Sequence, residues 1–145
     1  MTQIKEKRII NASKETVFKV VSDFANLPTA VPEVVRIEFI STVRSGLGTR
    51  FREVRLVNGK ESITELEVTE YREYEHIRMV ADSHGTVWDS VFRLTPVGEA
   101  TELEVVMHAR AHKLLARMIH FLMRGFYKSG IGKHLNAIKN FCESL

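Results

Sequence analysis

Six histidines and a single cysteine are the side chains whose chemistry turns over nearest neutral pH, and their spacing gives them no common task. His76 and His84 fall near expected turns, His108 on the expected outer face of a strand, and His112, His120 and His134 in or beside the last helix. His108 and His112 straddle a strand-to-helix junction, so their spacing does not put them on one helical face, and no acidic residue accompanies any pair at ligand spacing. A structural zinc site is therefore not expected. Cys142 has no partner for a disulfide or a CxxC motif and adjoins Phe141 in a helical pattern, the setting of an inert, partly buried thiol in a reducing compartment. No GxSxG is present, and the glycine-rich Ser129-Gly130-Ile131-Gly132 follows a helical run where a phosphate loop would follow a strand. The sequence calls for no cofactor.

The residues that do share a face are suited to binding. Trp88, Ser90, Phe92 and Leu94 alternate along one strand, Met79 and Met107 fall on the inward sides of its neighbours, and Met118, Phe121 and Leu122 fall within the apolar pattern of the last helix. Rings stack and methionines adapt, so this set fits a flat or flexible apolar ligand, although each residue alone would equally fill a core. Ser90 is the foremost polar candidate within such a pocket. Arg8 alternates with Ile10 and so points inward or sits at a sheet edge; Tyr71 offers a phenol or covers an edge. Arg50, Arg52 and Glu65 stay undecided, because charges occur on both faces of their strands. Catalysis in such a pocket would be proton transfer by one or two of its side chains.

The elements that must position these residues follow from periodicity. Ser13 caps a short helix with Glu15 in its first turn, and that helix stops near Asp23, ahead of Pro28 and Pro32. From Glu33 the pattern has period two: Val35, Ile37 and Phe39 are expected on one face, then strands near 49–57 and 60–71 joined by the hairpin dipeptide Asn58-Gly59. Strands through Ile77, Trp88 and Leu103 follow, with short turns that make successive strands antiparallel neighbours. After Ala111 a long helical stripe runs through Leu115, Met118, Leu122 and Phe126 to Ile138 and Cys142, with Gly125, Gly130 and Gly132 expected at a kink or a close approach to the sheet. At 145 residues and 44% hydrophobic composition this is one α+β domain, 1–145, whose single sheet must curl around the last helix and so tends to leave a pocket.

Net charge is a modest +3, but it is unevenly placed: Arg110 to Leu145 holds seven Lys or Arg against one acid, Glu143. Lys113, Arg117, His120, Arg124 and Lys128 form a stripe that is either a solvated face or a surface for transient contact with an anionic membrane. The low overall charge makes nucleic acid a poorer fit as a partner. The charged start MTQIKEKRII is unlike a signal peptide and no run is long enough to span a bilayer, so a soluble, cytoplasmic protein is expected.

Asn11-Ala12-Ser13, the helix entry Ser13-Lys14-Glu15-Thr16-Val17-Phe18, and Gly46-Leu47-Gly48-Thr49-Arg50 resemble the polyketide cyclase/dehydrase and lipid-transport family of the START-like (SRPBCC) superfamily. Glu67-Val68-Thr69-Glu70-Tyr71, Leu94-Thr95-Pro96, Ala100-Thr101-Glu102-Leu103 and Leu135-Asn136-Ala137-Ile138-Lys139 extend the resemblance over essentially the whole chain. It implies a helix-grip fold, in which a curved antiparallel sheet of about seven strands wraps a long C-terminal helix. It also implies an apolar or aromatic small molecule held between them. A binding or transfer protein, an aromatase/cyclase- or dehydratase-type enzyme using Ser90, Arg8 or Tyr71, and an interaction module with a filled core are the three functions consistent with these residues.

Overall fold

Two-residue alternation becomes a single antiparallel sheet. The computed structural model describes residues 2–83 and 85–145, so His84, at the expected turn before Gly85, lies outside the described residues. The strands are β1 (Thr2–Ile10), β2 (Val34–Phe39), β3 (Arg50–Val57), β4 (Lys60–Arg72), β5 (His76–Ser83), β6 (Thr86–Val97) and β7 (Ala100–Ala111), in the order β1-β7-β6-β5-β4-β3-β2. Consecutive strands from β2 onward are neighbours, as the short turns require, and β1 returns to pair with β7. At the β3–β4 hairpin Asn58 and Gly59 hold φ of 52° and 77°, the left-handed pair that lets two residues reverse a twisted ribbon.

Irregularities in β2 between Val34 and Arg36 and in β4 between Val68 and Glu70 sharpen the local twist and curl the sheet. The first of these corrects the expected alternation. Val34 is buried and Val35 exposed, whereas Ile37 and Phe39 pack on the core, because the extra residue reverses the parity midway along the strand.

The concave face is closed at one end by α1 (Lys14–Ser22) and α2 (Leu27–Ala30). The Ser13 hydroxyl accepts from the Thr16 amide at 3.2 Å, satisfying one of the donors left free at the start of α1. Val17, Phe18, Val20 and Val21 turn to the core. Phe24, in the turn after α1, stacks on Phe51 of β3 with ring centroids 4.6 Å apart.

The 31-residue α3 (Leu114–Ser144) behaves as two halves. Its second half is locked down: Leu135, Ile138 and Cys142 are buried, Lys139 donates to the Ile9 carbonyl at 2.9 Å, and Glu143 accepts from the Asn11 amide at 2.7 Å. Gly132 makes the expected close approach to the sheet, since a Cβ there would meet the Arg8 guanidinium at 3.1 Å; α3 nevertheless runs as one continuous helix through Gly125 and Gly130. Over Leu114–Met123 only His120 is buried. A 31-residue helix is about 46 Å long at 1.5 Å per residue, longer than the sheet can cover, and its leading turns are left bare.

Candidate ligand-binding site

A cavity of about 560 Å³ lies between the concave face and α3, within the size range of small-molecule sites. Period two puts alternate residues of five adjacent strands into it: Phe51, Glu53 and Arg55 of β3, Leu66 of β4, Met79 and Ala81 of β5, Trp88, Ser90 and Phe92 of β6, and Val105 and Met107 of β7. Val21, Phe24 and Leu27 close the α1 end, and Tyr127, Ile131, His134 and Ile138 of α3 form the opposite wall. Exposed lining residues mark the opening: Val57, Asn58 and Ile63 at the β3–β4 hairpin face Phe126, Ser129 and Lys133 at the middle of α3.

Of the residues singled out in the sequence, Trp88, Ser90, Phe92, Met79 and Met107 meet at this cavity. Met118, Phe121 and Leu122 do not. They are 57%, 75% and 78% exposed and, with Arg117, border a separate shallow dent on the outside of α3. The helical stripe there is real, but it faces away from the sheet, which α3 meets at this level through His120 instead. Arg8 does share the inward face with Ile10, yet it donates to the Asn136 side chain at 2.7 Å and pairs with Glu6 at 3.0 Å, outside the cavity lining. Tyr71 also lies outside, its ring set edge-on to Phe18 at 5.4 Å. Arg50 and Arg52 point away from the cavity and pair with Glu65, and Arg50 also with Glu67.

Two polar clusters, one in the cavity wall and one beside it, were not anticipated. At the first, Arg55 donates through a terminal guanidinium nitrogen to Nδ1 of His134 at 2.8 Å and through Nε to Glu53, with Glu33 at 3.5 Å from its other arm. The Phe92 ring stands edge-on to the imidazole at 6.1 Å. Burial first, and then the Arg55 cation, push the His134 imidazolium down to about 3, so the ring is neutral near pH 7. At the second, His120 bonds to the Thr86 hydroxyl at 2.8 Å through Nε2 and to the Tyr127 hydroxyl at 3.0 Å through Nδ1, while Trp88 sets its ring edge-on to both His120 and Tyr127 at 5.2 Å. This cluster ties the otherwise bare half of α3 to β6. The parity of Phe51 was the available signal for Glu53 and Arg55, which follow it at two-residue intervals; no sequence signal joins Arg55 to His134.

Among the described residues, no three His, Cys, Asp or Glu side chains gather as a metal site would need, and no helix is long and apolar enough to cross a membrane. Burial, and then the nearby Glu143 charge, push the Cys142 thiol up to about 11, which leaves it unreactive near neutrality.

Comparison with solved structures places the fold. TTHA0849 from Thermus thermophilus superposes with a TM-score of 0.81 at 18% identity, over 99% of this chain and 98% of that one. A START superfamily protein from Mycobacterium smegmatis gives 0.73 at 18% identity, over 96% and 98%. Norcoclaurine synthase from Thalictrum flavum, solved with dopamine and hydroxybenzaldehyde, gives 0.76 at 14% identity, over 97% and 85%. No curated protein matches the sequence. The fold is thus the START-like helix grip, and the family model for polyketide cyclase/dehydrase and lipid transport matches residues 1–141. By that match over nearly its full length, the chain belongs to the polyketide cyclase/dehydrase and lipid transport family.

Proposed function

We propose that the protein is a single-domain carrier that binds or transfers a hydrophobic small molecule, lipid-like or polycyclic aromatic, in the cavity between sheet and α3. The cavity itself carries this reading: about 560 Å³, walled mainly by aromatic, methionine and aliphatic side chains, and open to solvent along one side of α3. Burial of apolar surface would supply the affinity, and Ser90, Tyr127 and the Arg55–His134 pair would orient the guest. The buried, unreactive Cys142 accords with residence in the reducing cytoplasm.

The bare half of α3 gives this carrier a place to load. Leu114, Leu115, Met118, Phe121 and Leu122 are each more than half exposed, Lys113, Arg117 and Arg124 adjoin them, and no acidic residue occurs between Arg110 and Cys142; Lys128, further along, pairs with Glu6 of β1 at 3.7 Å. An anionic bilayer complements both features at once, taking the apolar side chains below its headgroups and the cations among them. Phe126 belongs both to this exposed face and to the cavity lining, so a docked helix would bring the opening to the lipid surface.

A catalytic reading, an aromatase/cyclase- or dehydratase-type enzyme acting on a polyketide-like substrate, is favoured by one observation: Glu53, Arg55 and His134 converge on the same cavity. Ser90 is the one polar actor expected from the sequence that lines it, because Arg8 and Tyr71 lie elsewhere.

The chain's one tryptophan, Trp88, reports occupancy. Titration with a panel of long-chain alcohols, sterols and polycyclic aromatics is expected to shift or quench its emission saturably for at least one class. Emission unchanged across the whole panel would count against Trp88 lining a ligand site.

A further inference from the structure

We propose that His134 is a dedicated hydrogen-bond donor of the cavity and that the guest it selects carries a carbonyl oxygen at the end facing β3. The assignment follows from the partner of its other nitrogen. Arg55 has donors only, so Nδ1 of His134, 2.8 Å from the guanidinium, must be the acceptor. In a neutral imidazole the proton then sits on Nε2. Arg55 cannot rotate to another role without losing Glu53, which receives its Nε–H, so the tautomer is fixed by a chain from Glu53 through Arg55 to His134.

Nε2 has no hydrogen-bond partner among the described residues. His134 lines the cavity and is only half-buried, which leaves its unpaired N–H available to a guest there. Phe92 on one side and the Arg55 contact on the other hold the ring in place, so the donor is positioned before any ligand arrives. A group that is always a donor and never an acceptor favours an oxygen lone pair over a hydrocarbon. The carboxylates of Glu53 and Glu33 lie around Arg55, offsetting its charge, which favours a neutral carbonyl over an anionic oxygen.

This inference rests on the proposed apolar guest, and a matched pair of probes separates the two. By isothermal titration calorimetry 2-acetylnaphthalene is expected to bind about tenfold more tightly than 2-ethylnaphthalene, the advantage of one well-placed hydrogen bond in a dry site. His134→Phe should abolish the difference and His134→Gln, which keeps a side-chain donor, should restore part of it. In nitrogen-15 spectra the protonated imidazole nitrogen of His134 is expected to shift with the ketone and stay in place with the hydrocarbon, a response that needs no variant to fold. Equal affinity of the wild-type protein for both probes, with no shift of that nitrogen, overturns the donor assignment and leaves the apolar cavity intact. If neither probe binds, the cavity reading falls and the donor role with it.

Discussion

Vesicles containing phosphatidylglycerol are expected to sediment with the wild-type protein and to leave the Phe121→Glu/Leu122→Glu double variant in solution. Both side chains are more than 70% exposed and border a dent shared only with Arg117 and Met118, so neither contributes to the core. Each apolar side chain of this size is worth about 1.5–3 kcal/mol when removed from water. Two of them, with two negative charges added beside the cations, should therefore weaken vesicle binding by about a hundredfold or more. Folding should be untouched, and the melting temperature of the double variant should stay within a few degrees of wild type. Raised salt should weaken the wild-type interaction, since Lys113, Arg117 and Arg124 act through a screened field. Undiminished sedimentation of the double variant would remove α3 from the membrane contact. Self-association of the wild-type chain that the variant lacks, seen by sedimentation velocity in the absence of lipid, would assign the same face to a second copy instead.

The second large effect is expected inside the cavity. Ser90 stands on β6 between Trp88 and Phe92, with its small side chain directed into the space they border. Ser90→Phe places a ring where the guest would lie, and apolar ligands identified by Trp88 emission should lose about two orders of magnitude in affinity. Filling an unoccupied apolar space adds dispersion contacts, so stability should hold or rise, the opposite of what overpacking a filled core produces. Loss of a few kcal/mol of stability with unaltered ligand affinity would mean that Ser90 sits in packed protein and that ligands bind elsewhere. The pair of readouts thus distinguishes a hollow from a core.

Both predictions trace to what the sequence could and could not convey. Strand parity is local, so Trp88, Ser90 and Phe92 could be put on one face from their own spacing, and Ser13 and Asn58-Gly59 marked a cap and a hairpin through side-chain and backbone chemistry that needs no tertiary partner. The wrapping of the sheet followed from one uninterrupted run of strands ahead of a single long apolar helix, and the resemblance pointed the same way. Periodicity in α3 was equally plain, but a 3.6-residue repeat states which residues share a face and not whether anything covers it; Met118, Phe121 and Leu122 therefore read as cavity lining and proved bare. Arg8 illustrates the converse, correct in parity with Ile10 yet held by Asn136 and Glu6 away from the hollow. In β3, charges at Arg50, Arg52, Glu53 and Arg55 hide the apolar signal that parity depends on, and the contact of Arg55 with His134 spans 79 residues of sequence. Such a pairing arises only once β3 and α3 face each other.

The most direct measurement is of where a bound molecule sits. With methionine and isoleucine methyl groups labelled, 2-ethylnaphthalene is expected to show intermolecular nuclear Overhauser effects to Met79, Met107 and Ile138, which line the cavity from β5, β7 and α3. Contacts restricted to Met118 and Ile119 on the bare face of α3, with the cavity methyls silent at saturating ligand, would contradict an apolar guest held between sheet and helix.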